Sequence, residues 1–252
     1  YKLALYQLDP LVGNPIMPRF SQKKRKRFEI TLSQKAKIIF ANANIFSQKV
    51  ENNIFVNNVC CLEFPLIENK TINSSKTSTK ERDFIKIVFS GFLYPQLRNP
   101  EYALKLISSI NIKNLHIKLF IAGAGSEKIV NKYTKKYPNV IIQLGTLALK
   151  ESIVEIADAD FLLNIGSNDN TFVPSKLFDY ISTGKPIINI YRNLDCPSLY
   201  YLDRYSASLS LFEDMGNFDK NLEKIQSFII ANQNIQVPYN IIEKVFYTLT
   251  PQ

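Results

Sequence analysis

Cysteine is scarce in this chain of 252 residues: Cys60 and Cys61 are adjacent and Cys196 is distant. Such a set cannot staple a small domain, so a reducing compartment is expected. Metal-ligand spacing is also missing, and the chain has a single histidine, His116. No apolar run reaches the ~18 residues that a membrane span requires, because Lys, Asn or Ser interrupts each hydrophobic segment within about ten positions. The expectation is a soluble, cytoplasmic protein. A secretory signal with basic, apolar and small-residue regions is lacking, and Tyr1 leads straight into a strand-like stretch, which reads as a fragment. Zinc-finger spacing, an RNP-like aromatic motif and a helix-turn-helix pattern are absent, so no nucleic-acid module is recognisable. Gly184-Lys185-Pro186 lacks the first glycine and the Ser/Thr of a P-loop. There is no internal repeat of fixed period.

What is present is 46% hydrophobic and 21% charged, enough apolar material for one large α/β domain or two smaller ones. The charge is uneven, with net +7 over residues 1–83 and +2 over 84–252. The densest basic run is Lys23-Lys24-Arg25-Lys26-Arg27, followed by Phe28, Ile30 and Leu32. It suits the solvated face of a helix first, anionic lipid second and nucleic acid third.

Short β-branched runs alternate with amphipathic stretches, the pattern of βαβ units in a mostly parallel sheet. After residue 84 the spacing predicts strands over 84–90, 115–122, 140–144, 161–165 and 186–190, with an edge strand over 206–211. Helices are predicted over 100–110, 126–137, 150–157 and 174–183, closing with 218–231 and 240–247. Before residue 65 the same grammar is reduced to strands over 3–8, 37–41 and 54–59 and a basic helix over 20–34. Residues 66–83 form a polar connector, since Glu68 to Asp83 holds no large apolar residue except Ile72. The expected organisation is a truncated Rossmann-like part over 1–65, the connector, and a Rossmann-like domain over 84–252 whose last helix packs back on the first part.

Ligands of open parallel sheets bind beyond the carboxyl ends of the strands, where helix N-termini offer N–H groups to anions. That rule selects four loops, 91–99, 123–126, 145–149 and 166–176, each opening with glycine. The last is the richest in chemistry. Asn168, Asp169, Asn170 and Thr171 lead through Pro174 into a helix whose N-terminal dipole is reinforced by Lys176, a setting for a pyrophosphate with Ser175 donating a hydrogen bond. Asp179 falls near Lys176 on that helix and suits ribose hydroxyls. An i,i+3 Lys–Asp surface pair behind an ordinary proline start explains the same spacing. Asp9 reads as a turn-forming Asp-Pro, and His116 as a structural residue of its strand.

Val173 to Ile188 (VPSKLFDYISTGKPII) resembles the nucleotide-sugar-binding motif of GT-B glycosyltransferases, especially the family 4-like branch. FSGFLYPQLRNP from Phe89 is similar to that family's first strand and glycine turn, FIAGAG from Phe120 to its second, and FEITLSQKAKIIFANA from Phe28 to the end of its N-terminal domain. The resemblance implies a GT-B-like α/β fold and transfer of a sugar from a nucleotide-diphosphate sugar to a glycan, lipid-linked or other acceptor, with retention and without a metal. It implies a role in cell-envelope polysaccharide synthesis. The basic run from Lys23 to Arg27 adds the expectation that the cytoplasmic chain lies peripherally at the inner membrane face. Arg98 and Lys176 would hold the diphosphate, Ser175 and the backbone near Leu177 would complete its cradle, and Asp179 would take the ribose. Asn168 to Thr171 would face the sugar, with Gly91, Gly123 and Gly125 lining the cleft. The resemblance assigns no catalytic residue. Where the family often carries two glutamates eight positions apart, this chain has Thr171 and Asp179. Two rivals remain open, a catalytically silent nucleotide-sugar-binding protein and a nucleotide-sugar 2-epimerase.

Overall fold

A computed structural model describes residues 3–7, 22–41, 59–62, 66–69, 82–170 and 173–250. The chain divides into two compact units, Tyr1–Pro65 together with Thr248–Gln252, and Leu66–Tyr247. In the first unit, β1 (Leu3–Gln7), α1 (Gln22–Lys35) and β2 (Ala36–Ala41) are joined in order, and β3 (Val59–Cys61) lies beside β2. The order β1-β2-β3 is parallel throughout. Helix α1 turns Glu29 and Ser33 inward, and the Gln7 amide donates to Glu29 Oε1 at 3.2 Å. Lys23, Lys24, Lys26 and Arg27 are exposed and Arg25 is half-buried. The strand expected over 54–59 falls almost wholly outside the described residues, as does Asp9.

The second unit opens with β4 (Phe84–Ser90), α2 (Glu101–Ser108), β5 (His116–Ala122), α3 (Glu127–Lys136), β6 (Ile141–Gly145) and α4 (Leu149–Asp158). It continues through β7 (Phe161–Ile165), α5 (Lys176–Ser182), β8 (Ile187–Tyr191), α6 (Ser198–Leu202) and β9 (Ser208–Phe212), then closes with α7 (Phe218–Ala231) and α8 (Tyr239–Val245). All strand pairs are parallel in the order β6-β5-β4-β7-β8-β9. This is the doubly wound arrangement, and the winding reverses between β4 and β7.

Alternation along β4 assigns the two layers. Ile87 and Phe89 join the cluster built with Leu104, Ile107, Val130 and Ile225 of α2, α3 and α7. Lys86 and Ser90 point to the other face, where Lys86 Nζ meets Glu155 at 2.7 Å and Ser90 Oγ meets Ser152 Oγ at 2.8 Å, both on α4. Strand β7 is buried along its whole length, as a central parallel strand covered on both faces requires.

Buried polar groups fix details that hydrophobic pattern alone leaves free. Asn164 donates to Asn189 at 2.8 Å and Asn189 to Ser210 at 3.1 Å, at aligned positions of β7, β8 and β9. A register slip would orphan these amides, so the ladder specifies strand alignment. Lys86, buried within β4, is neutralised by Glu155 and Asp158, and Arg82 pairs with Asp158 and Asp160. Arg82 belongs to the stretch read as a polar connector, and Ile67 at its other end is buried with its carbonyl accepting from Tyr239 at 3.3 Å.

Two local expectations differ from the structure. Helix α5 begins at Lys176, not at Pro174, because Pro174 and Ser175 carbonyls accept the amides of Leu177 and Phe178 in tight turns that precede it. Helix α6 was not anticipated; it is a five-residue helix started by Pro197, too short to show a period.

Candidate functional site

The carboxyl ends of β4 and β7 flank the reversal point. These strands pair only at Ile87 with Phe161 and Val88 with Leu162, then separate. Gly91 N–H donates to Ala122 of β5, so alternation turns the N–H and C=O of Ser90 toward the gap beside β7. Gly166 N–H donates to Ile190 of β8, which likewise turns the Ile165 carbonyl into the gap. Backbone groups at both lips therefore need side-chain partners.

Arg98 supplies one of them. It leaves the loop after β4, is 6% exposed, and donates from Nε to the Ile165 carbonyl at 2.8 Å and from Nη1 to the Phe92 carbonyl at 3.4 Å. Its guanidinium lies 5.4 Å from the centre of the Phe89 ring. Burial pushes its pKa down to about 10, so the charge persists at neutral pH. Among the described residues no carboxylate pairs with Arg98. A desolvated cation without a counter-ion favours an incoming anion.

Helix α5 presents the rest. Lys176 Nζ pairs with Asp179 Oδ2 at 3.1 Å, both side chains being roughly one-third exposed or less. The two expected ligands thus hold each other, as the surface-pair reading requires. A pair this exposed contributes about 0–1 kcal/mol, so an anion with several charges can displace the carboxylate at little cost. Ser175 is exposed and its hydroxyl makes no capping bond. The Leu177 N–H already donates to Pro174, which commits the backbone group expected in the cradle to a turn.

The sugar-facing loop is held from two sides. Asn168 N–H donates to the Leu97 carbonyl at 2.7 Å, and Asn193 Nδ2 donates to the Asn168 carbonyl at 3.1 Å. Asp169 N–H donates to Ser167 Oγ at 3.1 Å, Asn170 is exposed, and Thr171 lies outside the described residues. The loops carrying Arg98 and Asn168 are therefore tied together, a link with no mark in sequence.

The glycine turns have a physical reason that needs no ligand. A Cβ at Gly123 would fall inside the Gly91 carbonyl, and one at Gly125 would lie 2.8 Å from the Phe92 ring. The close approach that demands glycine is between neighbouring turns, whose packing shapes the wall beside Arg98. His116 opens β5 and is exposed. It lines a cavity of about 320 Å³ with Phe84, Ile107 and Lys118 at the opposite end of the sheet. Sequence reasoning missed Tyr180, Asn193 and Cys196. Tyr180 reads as one more apolar position of its helix, and buried Cys196 would sit 2.7 Å from a Cβ at Gly166.

No family model and no curated protein matches the sequence. Solved structures do match. The apo form of the lipopolysaccharide outer core galactosyltransferase WaaB aligns with TM-score 0.56 and 16% identity, over 86% of this chain and 59% of that one. HepE of Anabaena in complex with UDP aligns with TM-score 0.60 and 11% identity, over 98% and 72%. A glycosyltransferase from Rickettsia africae aligns with TM-score 0.62 and 10% identity, over 93% and 64%. The fold is that of the GT-B glycosyltransferases. This chain spans about three-fifths of the length of WaaB (59%).

Proposed function

We propose that the chain acts as a family 4-like glycosyltransferase of hexosyltransferase type. Residues 84–252 bind a nucleotide-diphosphate sugar, residues 66–83 connect, and residues 1–65 belong to the side that receives a glycan, lipid-linked or other acceptor in cell-envelope polysaccharide synthesis. The observation that carries this reading is Arg98, a buried guanidinium that no carboxylate among the described residues pairs with, at the point where β4 and β7 part. Arg98 and Lys176 take the diphosphate, and Ser175 adds a hydrogen bond. Lys176 turns from Asp179 to the diphosphate, and Asp179 accepts from ribose hydroxyls. Asn168, Asp169, Asn170 and Thr171 face the sugar. The two cations stabilise the charge that grows on the departing diphosphate, which is the role a metal fills elsewhere, and the reaction proceeds with retention.

Thermal unfolding with UDP, GDP and ADP and their sugar conjugates tests the reading. One base series is expected to raise the Tm, since a ligand at about 100 times its Kd stabilises by about 2.7 kcal/mol. A flat response to every nucleotide ends it. Thr171, standing where the family often has an acid, favours a second reading as a silent nucleotide-sugar binder. Product analysis separates the two, because only a transferase forms a new glycoside.

The exposed cations of α1 and the neighbouring Phe28, itself 58% exposed, support peripheral contact with an anionic leaflet. Each such charge contributes about 1 kcal/mol near the surface. Replacing Lys23, Lys24, Arg25, Lys26 and Arg27 with Gln should abolish cosedimentation with phosphatidylglycerol vesicles. Retained binding would remove the contact.

A further inference from the structure

We propose that Tyr180 is a positioning residue for the diphosphate site, its hydroxyl locking α5, and with it Lys176, to the end of β4. The inference rests on the nucleotide-sugar reading above. Once β4 has left β7, the N–H and C=O of buried Ser90 face the gap, and both would be orphaned there without a side-chain partner. The Tyr180 hydroxyl answers both, accepting from Ser90 N–H at 2.7 Å and donating to Ser90 C=O at 3.3 Å. On the other lip Arg98 answers the Ile165 carbonyl alone, donating to it from Nε. Two side chains thus close the parted strands. Tyr180 is 1% exposed, and burial pushes its phenol well above the ordinary tyrosine value, which keeps the proton in place to donate.

The consequence for the site follows from helix geometry. Lys176 and Tyr180 are four residues apart, on one face and about 6 Å along the axis. Whatever fixes the Tyr180 oxygen against β4 also fixes the start of α5 relative to the loop that delivers Arg98. Tyr180 touches no substrate in this account; it sets the separation of two groups that do. Errors of an ångström in such a separation are costly for a charge clamp.

Tyr205 offers a matched control. It is also buried, and its hydroxyl donates to the Lys185 carbonyl at 2.9 Å, just before β8 and away from the carboxyl ends of the strands. Calorimetric titration with UDP, GDP and ADP in parallel is expected to show Tyr180→Phe weakening the nucleotide that binds the unaltered chain by about tenfold. Tyr205→Phe should leave affinity unchanged at a similar cost in Tm. In a Lys176→Ala background, Tyr180→Phe should add clearly less than it costs in the unaltered chain, because much of its effect passes through that lysine. Equal binding by Tyr180→Phe and the unaltered chain, or full additivity with Lys176→Ala, overturns the proposal and leaves the functional reading intact. If no nucleoside diphosphate binds the unaltered chain, the functional reading falls and this inference with it. Amide exchange in the unaltered chain gives a measurement that needs no variant: Ser90 and Leu177 N–H should open as one unit with one free energy, and independent opening also overturns the proposal.

Discussion

Arg98→Ala is expected to lower affinity for the nucleoside diphosphate by about 100-fold, the largest loss at any single site position. The reasons are cumulative. The variant removes a charge that burial has stripped of water, and it leaves the Ile165 carbonyl unpaired at the lip of the gap. An orphaned buried acceptor costs about 1–3 kcal/mol, so urea unfolding should register the change as well. Arg98→Lys separates the two effects. It keeps a cation but loses the planar fork that serves Ile165 and Phe92 together. Partial recovery of affinity with little recovery of stability is the expected pattern. A titration in which Arg98→Ala binds as tightly as the unaltered chain would show that the guanidinium is only a strand cap.

Gly123→Ala should unfold the Leu66–Tyr247 unit at much lower urea, with a loss of about 3 kcal/mol or more. The added methyl would overlap the Gly91 carbonyl, with more of the Gly91 backbone 2.9 Å away. No flexible side chain stands there to give way. Gly145→Ala is the comparison, because Gly145 has φ +70° but nothing within 4 Å of its would-be Cβ. That variant carries only the backbone cost of the left-handed region, about 1–2 kcal/mol. If the two variants lose equal stability, turn-to-turn packing is not the reason for Gly123.

Much of the second unit was legible because its signals are local. Phe84–Ser90 and Phe161–Ile165 coincide with their expected ranges, since an apolar run closed by glycine or a polar turn needs no partner to be read. The seven-residue α5 is announced by Pro174 before it and Gly184 after it, but its first turn is not, because the carbonyls of Pro174 and Ser175 close tight turns that a proline does not announce. At the site, residue chemistry pointed to Arg98, Lys176 and Asp179. Their state did not show: the ion pair within α5 and the desolvation of Arg98 depend on what surrounds them. The glycines suggest a ligand's approach in sequence, but the packing of neighbouring chain beside Gly123 and Gly125 shows only in the structure.

By itself the sequence determined the succession of strands and helices in the second unit apart from α6, the residue types gathered in the loops after the strands, and the likeness that led to the GT-B fold. Each of these is written in neighbours a few positions apart. Only the tertiary structure decided that β4 lies between β5 and β7, and that β4 and β7 part after two paired positions. From that parting come the partnership of Arg98 with Ile165 across 67 residues and of Tyr180 with Ser90 across 90. The physical reason is that a parallel strand looks alike whichever strand it adjoins. Its unpaired backbone groups, and the side chains drawn to them, exist only once pairing has stopped somewhere definite.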